Sequence, residues 1–182
     1  MEHFVTADTA HMIAGKHSTD FFDCVSDLID TPRVKELAAC EHHVDGTRLE
    51  HVVGVAFRAF VVAKAMGLDS RAVARAGLLH DLFFYDYYAV DYGPLHIYIH
   101  PLEALENAKK ITELSEVEEE IIRCHMWPLC DTKPKFSETY LVSVVDKYCA
   151  VREAVASGWW RMWYVWRKTC RSLRKYGYVI SE

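Results

Sequence analysis

The chain has 182 residues, of which 51% are hydrophobic and 26% are charged, and its formal net charge is −5. This composition is typical of a single globular domain and excludes a disordered or fibrous chain. The negative charge gives no electrostatic reason to expect a nucleic-acid polymer or an anionic membrane as a partner. Because the chain starts without a signal-peptide pattern and has no bilayer-length apolar run, we expect a cytoplasmic protein.

Apolar residues recur at helical spacing between turn residues along most of the chain, and strand-like alternation is absent. In chain order, the predicted helices cover residues 20–30, 32–40, 48–66, 71–84, 101–114, 116–126, 137–157 and 158–178. Residues 86–100 contain Gly93 and Pro94 and are predicted to form a loop, which Pro101 ends by opening the next helix. The sequence therefore predicts an all-α fold in one domain, residues 1–182.

Two of these helices begin with a capping box, in which a hydroxyl residue is followed three positions later by glutamate. The boxes are Thr47 with Glu50 and Ser115 with Glu118. Gly67 is a natural C-terminal stop for the first of them. That helix is apolar on most sides, so we expect it to be central and buried.

Histidines and aspartates interrupt the apolar runs of several predicted helices. The positions are His51, His80, Asp81, His100, His125 and Asp146. Taken singly, each is explained by a hydrogen-bonded core residue. A buried carboxylate is expensive unless it is paired or bound to a metal, and several such groups on separate helices indicate one shared site. Imidazole and carboxylate together suit a divalent transition metal such as Fe, Mn, Co, Ni or Zn.

The stretches around these positions resemble the HD-domain superfamily of metal-dependent phosphohydrolases. They read LEHVVGVAFRAF, AGLLHDLFFYD, HPLEALENA, EEEIIRCHMWP and SVVDKYCAVRE, and the resemblance extends over roughly residues 43–154. The pattern HD…HP…HMWP…D is also similar to a poorly characterised bacterial group within that superfamily. The resemblance implies a compact multi-helix HD bundle with a core at about 43–157.

The resemblance also implies roles for the individual residues. His51, His80, Asp81 and Asp146 match the ligands found throughout the superfamily, and His100 and His125 match the extra histidines of its dinuclear branches. Asp81 would then be the catalytic aspartate that bridges two metal ions. One ion would take His51, His80 and Asp146, and the other would take His100 and His125.

Four further residues are candidates for substrate binding. Arg48 lies one turn before His51 and could contact a phosphate or form a surface salt bridge. Lys147 adjoins Asp146, although helix geometry turns it to another face. Asp86 could orient a water or leaving group, or could make local hydrogen bonds in its loop. His43 could reach the mouth of the site or could be a solvated loop residue.

Tryptophans and basic residues alternate in the last predicted helix, residues 158–178. Such a helix can bind a membrane or nucleic acid, but we favour packing of its tryptophans onto the domain or onto a second subunit. A homodimer is therefore one expectation from this segment.

The predicted activity is hydrolysis of a phosphoester or phosphoanhydride in a small, nucleotide-like molecule by a metal-activated water. The chain lacks the GYP motif and the lysine that follows the HD pair in HD-GYP proteins, which makes cleavage of cyclic dinucleotides a poorer match. Two other functions stay open: a non-catalytic module that senses a nucleotide, and a di-iron oxygenase of HD-like fold.

Overall fold

The computed structural model of the chain describes residue 13 and residues 15–42, 46–85 and 95–156. These residues form seven α-helices: α1 (Ser18–Ile29), α2 (Pro32–Glu36), α3 (Arg48–Met66), α4 (Ser70–Leu79), α5 (His96–Lys109), α6 (Glu116–Cys124) and α7 (Ser137–Ala156). A 3₁₀ turn (Leu37–Ala39) and a two-stranded antiparallel ladder, β1 (Glu41–His42) with β2 (Gly46–Thr47), lie between α2 and α3. The predicted all-α fold is confirmed, with this short ladder as a small addition.

Helix α3 lies at the centre of the bundle. It packs against α4 and α7, while α4 also contacts α1 and α6, and α6 contacts α5 and α7. Both ends of α3 are set by local chemistry that the sequence predicted. Thr47 and Glu50 form the capping box, and Gly67 ends the helix in the left-handed region at φ 70°.

Helices α3 and α4 approach each other closely at Gly77. A Cβ atom at this position would lie 2.9 Å from the Ala56 Cα atom, so only glycine fits without a shift of the backbone. The close approach brings the residues that follow α4 beside α3. As a result, the HD pair, which is His80 with Asp81, lies beside His51.

The hydrophobic core has most of its buried residues on α1, α3 and α4 and continues onto α5, α6 and α7. Phe21 of α1 contacts the rings of Phe57 and Phe60 of α3 edge to face, with centroids 5.2 and 5.6 Å apart. Phe21, Val25 and Leu28 recur at helical spacing and are fully buried. No helix of the described part of the chain is long and apolar enough to cross a membrane.

Two of the predicted boundaries are wrong in an informative way. Helix α5 begins at His96, so Pro101 lies inside it and His100 is helical. The imidazoles of His96 and His100 stack with centroids 4.4 Å apart, which supports the additional turn. Helix α4 ends at Leu79, so the HD pair lies in the turn after the helix and not within it.

Candidate metal centre

Five separate elements each contribute to one buried group of polar side chains. We call this group the ligand cluster; its members are His51 on α3, His80 and Asp81 after α4, His100 on α5, His125 at the end of α6, and Asp146 on α7. None of the six is more than 8% exposed. The structure therefore brings together every residue that the sequence proposed as a ligand.

The ligand atoms of the cluster form three overlapping triads, each within 4.8 Å. The triads are His51–His80–Asp81, His80–His125–Asp146 and Asp81–His100–His125. Asp81 belongs to two of them, and its two oxygens face different partners. Its Oδ1 lies 3.4 Å from His100 Nε2 and 3.5 Å from His125 Nε2, whereas its Oδ2 lies 3.9 Å from His80 Nε2. A carboxylate in this position can bridge two cations.

The second aspartate faces the other side of the cluster. Asp146 Oδ1 lies 3.0 Å from His51 Nε2 and 3.6 Å from His80 Nε2. This arrangement agrees with the division that the family resemblance implied, with His51, His80 and Asp146 on one side. His125 contributes to both sides, because it is also within reach of His80 and Asp146.

The outer nitrogens of three histidines are held by backbone carbonyls. The Nδ1 atoms of His80, His100 and His125 donate to the carbonyl oxygens of Gly77, His96 and Ile122 at 2.8, 2.7 and 2.8 Å, respectively. A carbonyl oxygen can only accept, so each ring carries its proton on Nδ1. The three Nε2 atoms therefore face the centre as lone-pair donors when the rings are neutral.

The unpaired atoms at the centre show that a cation fits this donor set. His80 Nε2 and Asp81 Oδ1 are buried and have no hydrogen-bond partner. His100 Nε2 lies 3.0 Å from His125 Nε2, and two neutral rings would present lone pairs to each other at that distance. Such unsatisfied groups cost roughly 1–3 kcal/mol each, a cost that a shared cation removes.

Electrostatics favour the charge states that bind metals. Burial lowers the pKa of His100 to about 3 and also lowers that of His125, so both imidazoles are neutral near pH 7. Neutral imidazoles and ionised carboxylates are the forms that coordinate metal ions.

His51 differs from the other histidines in its surroundings. Burial opposes its charged form, but hydrogen bonds with Asp146 and Glu153 raise its pKa well above the ordinary value. A metal ion must therefore displace a proton from His51 Nε2. Glu153 was missed by the sequence reasoning, although it follows Asp146 by seven residues, the spacing that places two residues on one face of a helix.

Arg48 is buried, and the Phe83 ring connects it to the ligand cluster. Its guanidinium stacks over the Phe83 ring, 3.6 Å from the centroid, and donates to the Phe83 carbonyl. The Phe83 ring in turn contacts the His100 ring, with centroids 5.3 Å apart. The alternative of a surface salt bridge for Arg48 is therefore wrong, whereas its role as a phosphate contact stays a prediction.

Lys147 reaches back toward the cluster despite its position on another face of α7. Its ammonium group donates to Asp146 Oδ2 at 3.0 Å and to the His125 carbonyl. The long side chain thus holds the oxygen of Asp146 that faces away from His51. Its contact with a substrate stays a prediction. The other two substrate-binding candidates, His43 and Asp86, lie outside the described residues, as does the predicted helix 158–178.

Comparison with known proteins supports the assignment of the family. The family model of the HD domain matches residues 48–150, which is more than half of the chain. The searches of curated proteins and of solved structures found no match to the chain. The matched region contains all six members of the ligand cluster. The chain therefore belongs to the HD-domain family.

Proposed function

We propose that this protein is a metal-dependent phosphohydrolase that acts on a phosphoester or phosphoanhydride of a small, nucleotide-like molecule. Membership of the HD-domain family supports the reaction class. The observation that carries the proposal is Asp81, whose two oxygens face different histidines of a buried cluster and whose Oδ1 has no hydrogen-bond partner. Two divalent ions per chain are the occupancy that this arrangement favours.

Bound metal ions would supply an activated water and would offset the negative charge of the phosphoryl group. The chain's own residues define where this chemistry takes place. The three carbonyl-held histidines keep their Nε2 atoms directed inward, and Lys147 restrains Asp146 from behind. Because these side chains are buried and fixed, little reorganisation accompanies the reaction.

An anionic substrate needs local positive charge, since the whole chain carries a formal charge of −5. We propose Arg48 and Lys147 as the groups that approach the phosphate, together with Asp86, five residues after Asp81 in the sequence, and His43, five residues before Arg48. A small phosphorylated molecule is favoured over a nucleic-acid polymer or a membrane, for the same reason of charge. A cytoplasmic location and a homodimer remain part of this proposal.

The proposal is tested with chelator-stripped protein reloaded with Mn, Fe, Co, Ni or Zn. Hydrolysis of bis-p-nitrophenyl phosphate and p-nitrophenyl phosphate should be measured first, followed by a panel of nucleotides. Asp81→Asn keeps the size of the side chain but removes its charge, so it should lose at least about 100-fold in activity. Asp131→Asn, on the exposed surface, is the matched control and should keep full activity.

The same experiment separates the other functions. Metal binding and tight nucleotide binding without turnover would favour a sensing module. Oxygen consumption that depends on iron, with no phosphate released, would favour an oxygenase. Absence of hydrolysis with every metal and substrate would contradict the proposed function.

A further inference from the structure

The four histidines of the ligand cluster are oriented by two kinds of acceptor. His80, His100 and His125 each donate from Nδ1 to a carbonyl three or four residues earlier in the chain. His51 instead has its Nδ1 atom 3.0 Å from a carboxylate oxygen of Glu153. Glu153 lies on α7, whereas His51 lies on α3.

The three carbonyl acceptors belong to the same chain segment as the ring that they hold. His80 and His125 are at the C-terminal caps of α4 and α6, where the last carbonyls have no intrahelical partner and can accept from a side chain. His100 lies inside α5 and contacts the His96 carbonyl of its own helix. His51, the fourth residue of α3, instead takes its acceptor from another helix.

Helix α7 supplies two acidic partners of the His51 ring. Asp146 Oδ1 lies 3.0 Å from Nε2, and Glu153 lies 3.0 Å from Nδ1 on the opposite side of the ring. The two acidic residues are seven positions apart, which is about two helical turns, so they share one face of α7. Glu153 lies beyond the residues 48–150 that the HD-domain model matches, so that match does not include it.

We propose that Glu153 is a positioning residue of the metal centre, which accepts a hydrogen bond from His51 Nδ1 and holds Nε2 toward the ion shared with His80 and Asp146. An ionised acceptor fixes the ring and increases its strength as a ligand more than a carbonyl does. This inference rests on the metal centre of the proposed function and not on its substrate.

The direct test is the zinc affinity of the full-length chain, measured by competition with a chromophoric chelator. Glu153→Ala removes the acceptor and should weaken binding of one of two ions by about 10- to 100-fold. Glu153→Gln should have a smaller effect, because its amide oxygen still accepts but carries no charge. Glu106→Ala removes an exposed glutamate of α5 and should leave both affinities unchanged.

A second readout reports the hydrogen bond itself and does not depend on activity. In zinc-loaded protein labelled with ¹⁵N-histidine, NMR should show the His51 Nδ1–H proton far downfield. This signal should shift upfield in Glu153→Gln and disappear by exchange with water in Glu153→Ala, while the signals of the three carbonyl-held histidines stay in place.

The possible results separate this inference from the proposed function. Wild-type zinc affinity in both Glu153 variants, with an unmoved His51 signal, would overturn the positioning role alone. If the wild-type chain bound neither zinc nor Mn, Fe, Co or Ni, the metal centre and the positioning role would be overturned together. If Glu153→Ala does not fold, the Glu153→Gln variant decides the question, because the amide keeps the size and the acceptor.

Discussion

Two groups of polar residues in this molecule, each with buried charged or ionisable members, are built on opposite principles. In the first, Arg75 of α4 donates from Nε to Glu118 at 3.0 Å, from Nη1 to both oxygens of Asp27 at 2.6 and 2.8 Å, and from Nη2 to Thr112 at 3.0 Å. We call these four residues the Arg75 network. It joins α1, α4 and the start of α6, and it leaves no guanidinium nitrogen without a partner.

The ligand cluster, by contrast, leaves buried atoms unpaired. His80 Nε2 and Asp81 Oδ1 have no hydrogen-bond partner, and two imidazole nitrogens face each other at 3.0 Å. Both groups connect several helices, so burial alone does not distinguish them. A buried group whose polar atoms all have hydrogen-bond partners stabilises the fold. A buried group with unpaired polar atoms indicates a site where a ligand, here a cation, binds.

The largest effect on stability is expected in the Arg75 network. Arg75→Met should lower the free energy of unfolding by about 3 kcal/mol, the lower end for a broken buried ion pair, because Asp27 is partly exposed. Urea unfolding of the full chain measures this change. Arg152→Met, on the exposed surface of α7, is the control. A loss below about 1 kcal/mol would show that the network is not a main stabilising element.

A substitution in the ligand cluster should have little effect on stability without metal and a large effect on stabilisation by metal. In chelator, Asp81→Asn should change the free energy of unfolding by less than about 1 kcal/mol, because the charge it removes is unsatisfied. Zinc at about 100 times its dissociation constant should stabilise the wild-type chain by about 2.7 kcal/mol and should stabilise this variant much less. Thermal unfolding with and without zinc measures both effects. Equal stabilisation of wild type and variant would place the ion elsewhere.

Glu120 provides a smaller and independent test of a satisfied buried carboxylate. Its Oε1 accepts from the backbone nitrogens of Lys135 and Phe136 and from the Thr139 hydroxyl, all at 2.9 Å. Glu120→Gln keeps an acceptor but loses the charge, so it should cost about 1 kcal/mol in urea unfolding. The control is Glu113→Gln on the surface.

The contribution of Glu120 to the free energy of unfolding should depend on pH, with a sign that follows from the pKa of its carboxyl. Burial opposes ionisation of Glu120, but the two backbone hydrogen bonds and the Thr139 hydroxyl bring the pKa of its carboxyl below the ordinary 4.5. The unfolded chain therefore takes up the proton first as the pH falls, and the contribution of Glu120 to stability is present above pH 4.5 and lost below it. The difference in unfolding free energy between wild type and Glu120→Gln should shrink over that range. A difference that is constant with pH would contradict this role.

The sequence predicted those features that depend on local chemistry. The capping boxes at Thr47 and Ser115 and the left-handed Gly67 follow from residues only three or four positions apart. The six members of the ligand cluster came from the order of histidines and aspartates in apolar helices together with the family resemblance. The structure places all of them in one group, and their role as ligands stays a prediction that metal binding must test.

Features that depend on contacts between distant segments were not predictable in the same way. The contact between Glu153 and His51 spans 102 positions, and the Arg75 network joins three helices. In each case a single sequence shows the residue type but not its partner.

The measurement that tests the central claim most directly is the metal content of the full-length chain by elemental mass spectrometry. Protein purified without chelator, beside Asp81→Asn and the surface variant Asp131→Asn, should be compared after loading with Mn, Fe, Co, Ni or Zn. The dinuclear centre predicts about two ions per chain in wild type and Asp131→Asn, with a loss in Asp81→Asn. No bound ion in the wild-type chain with any of these metals would contradict the account of the ligand cluster.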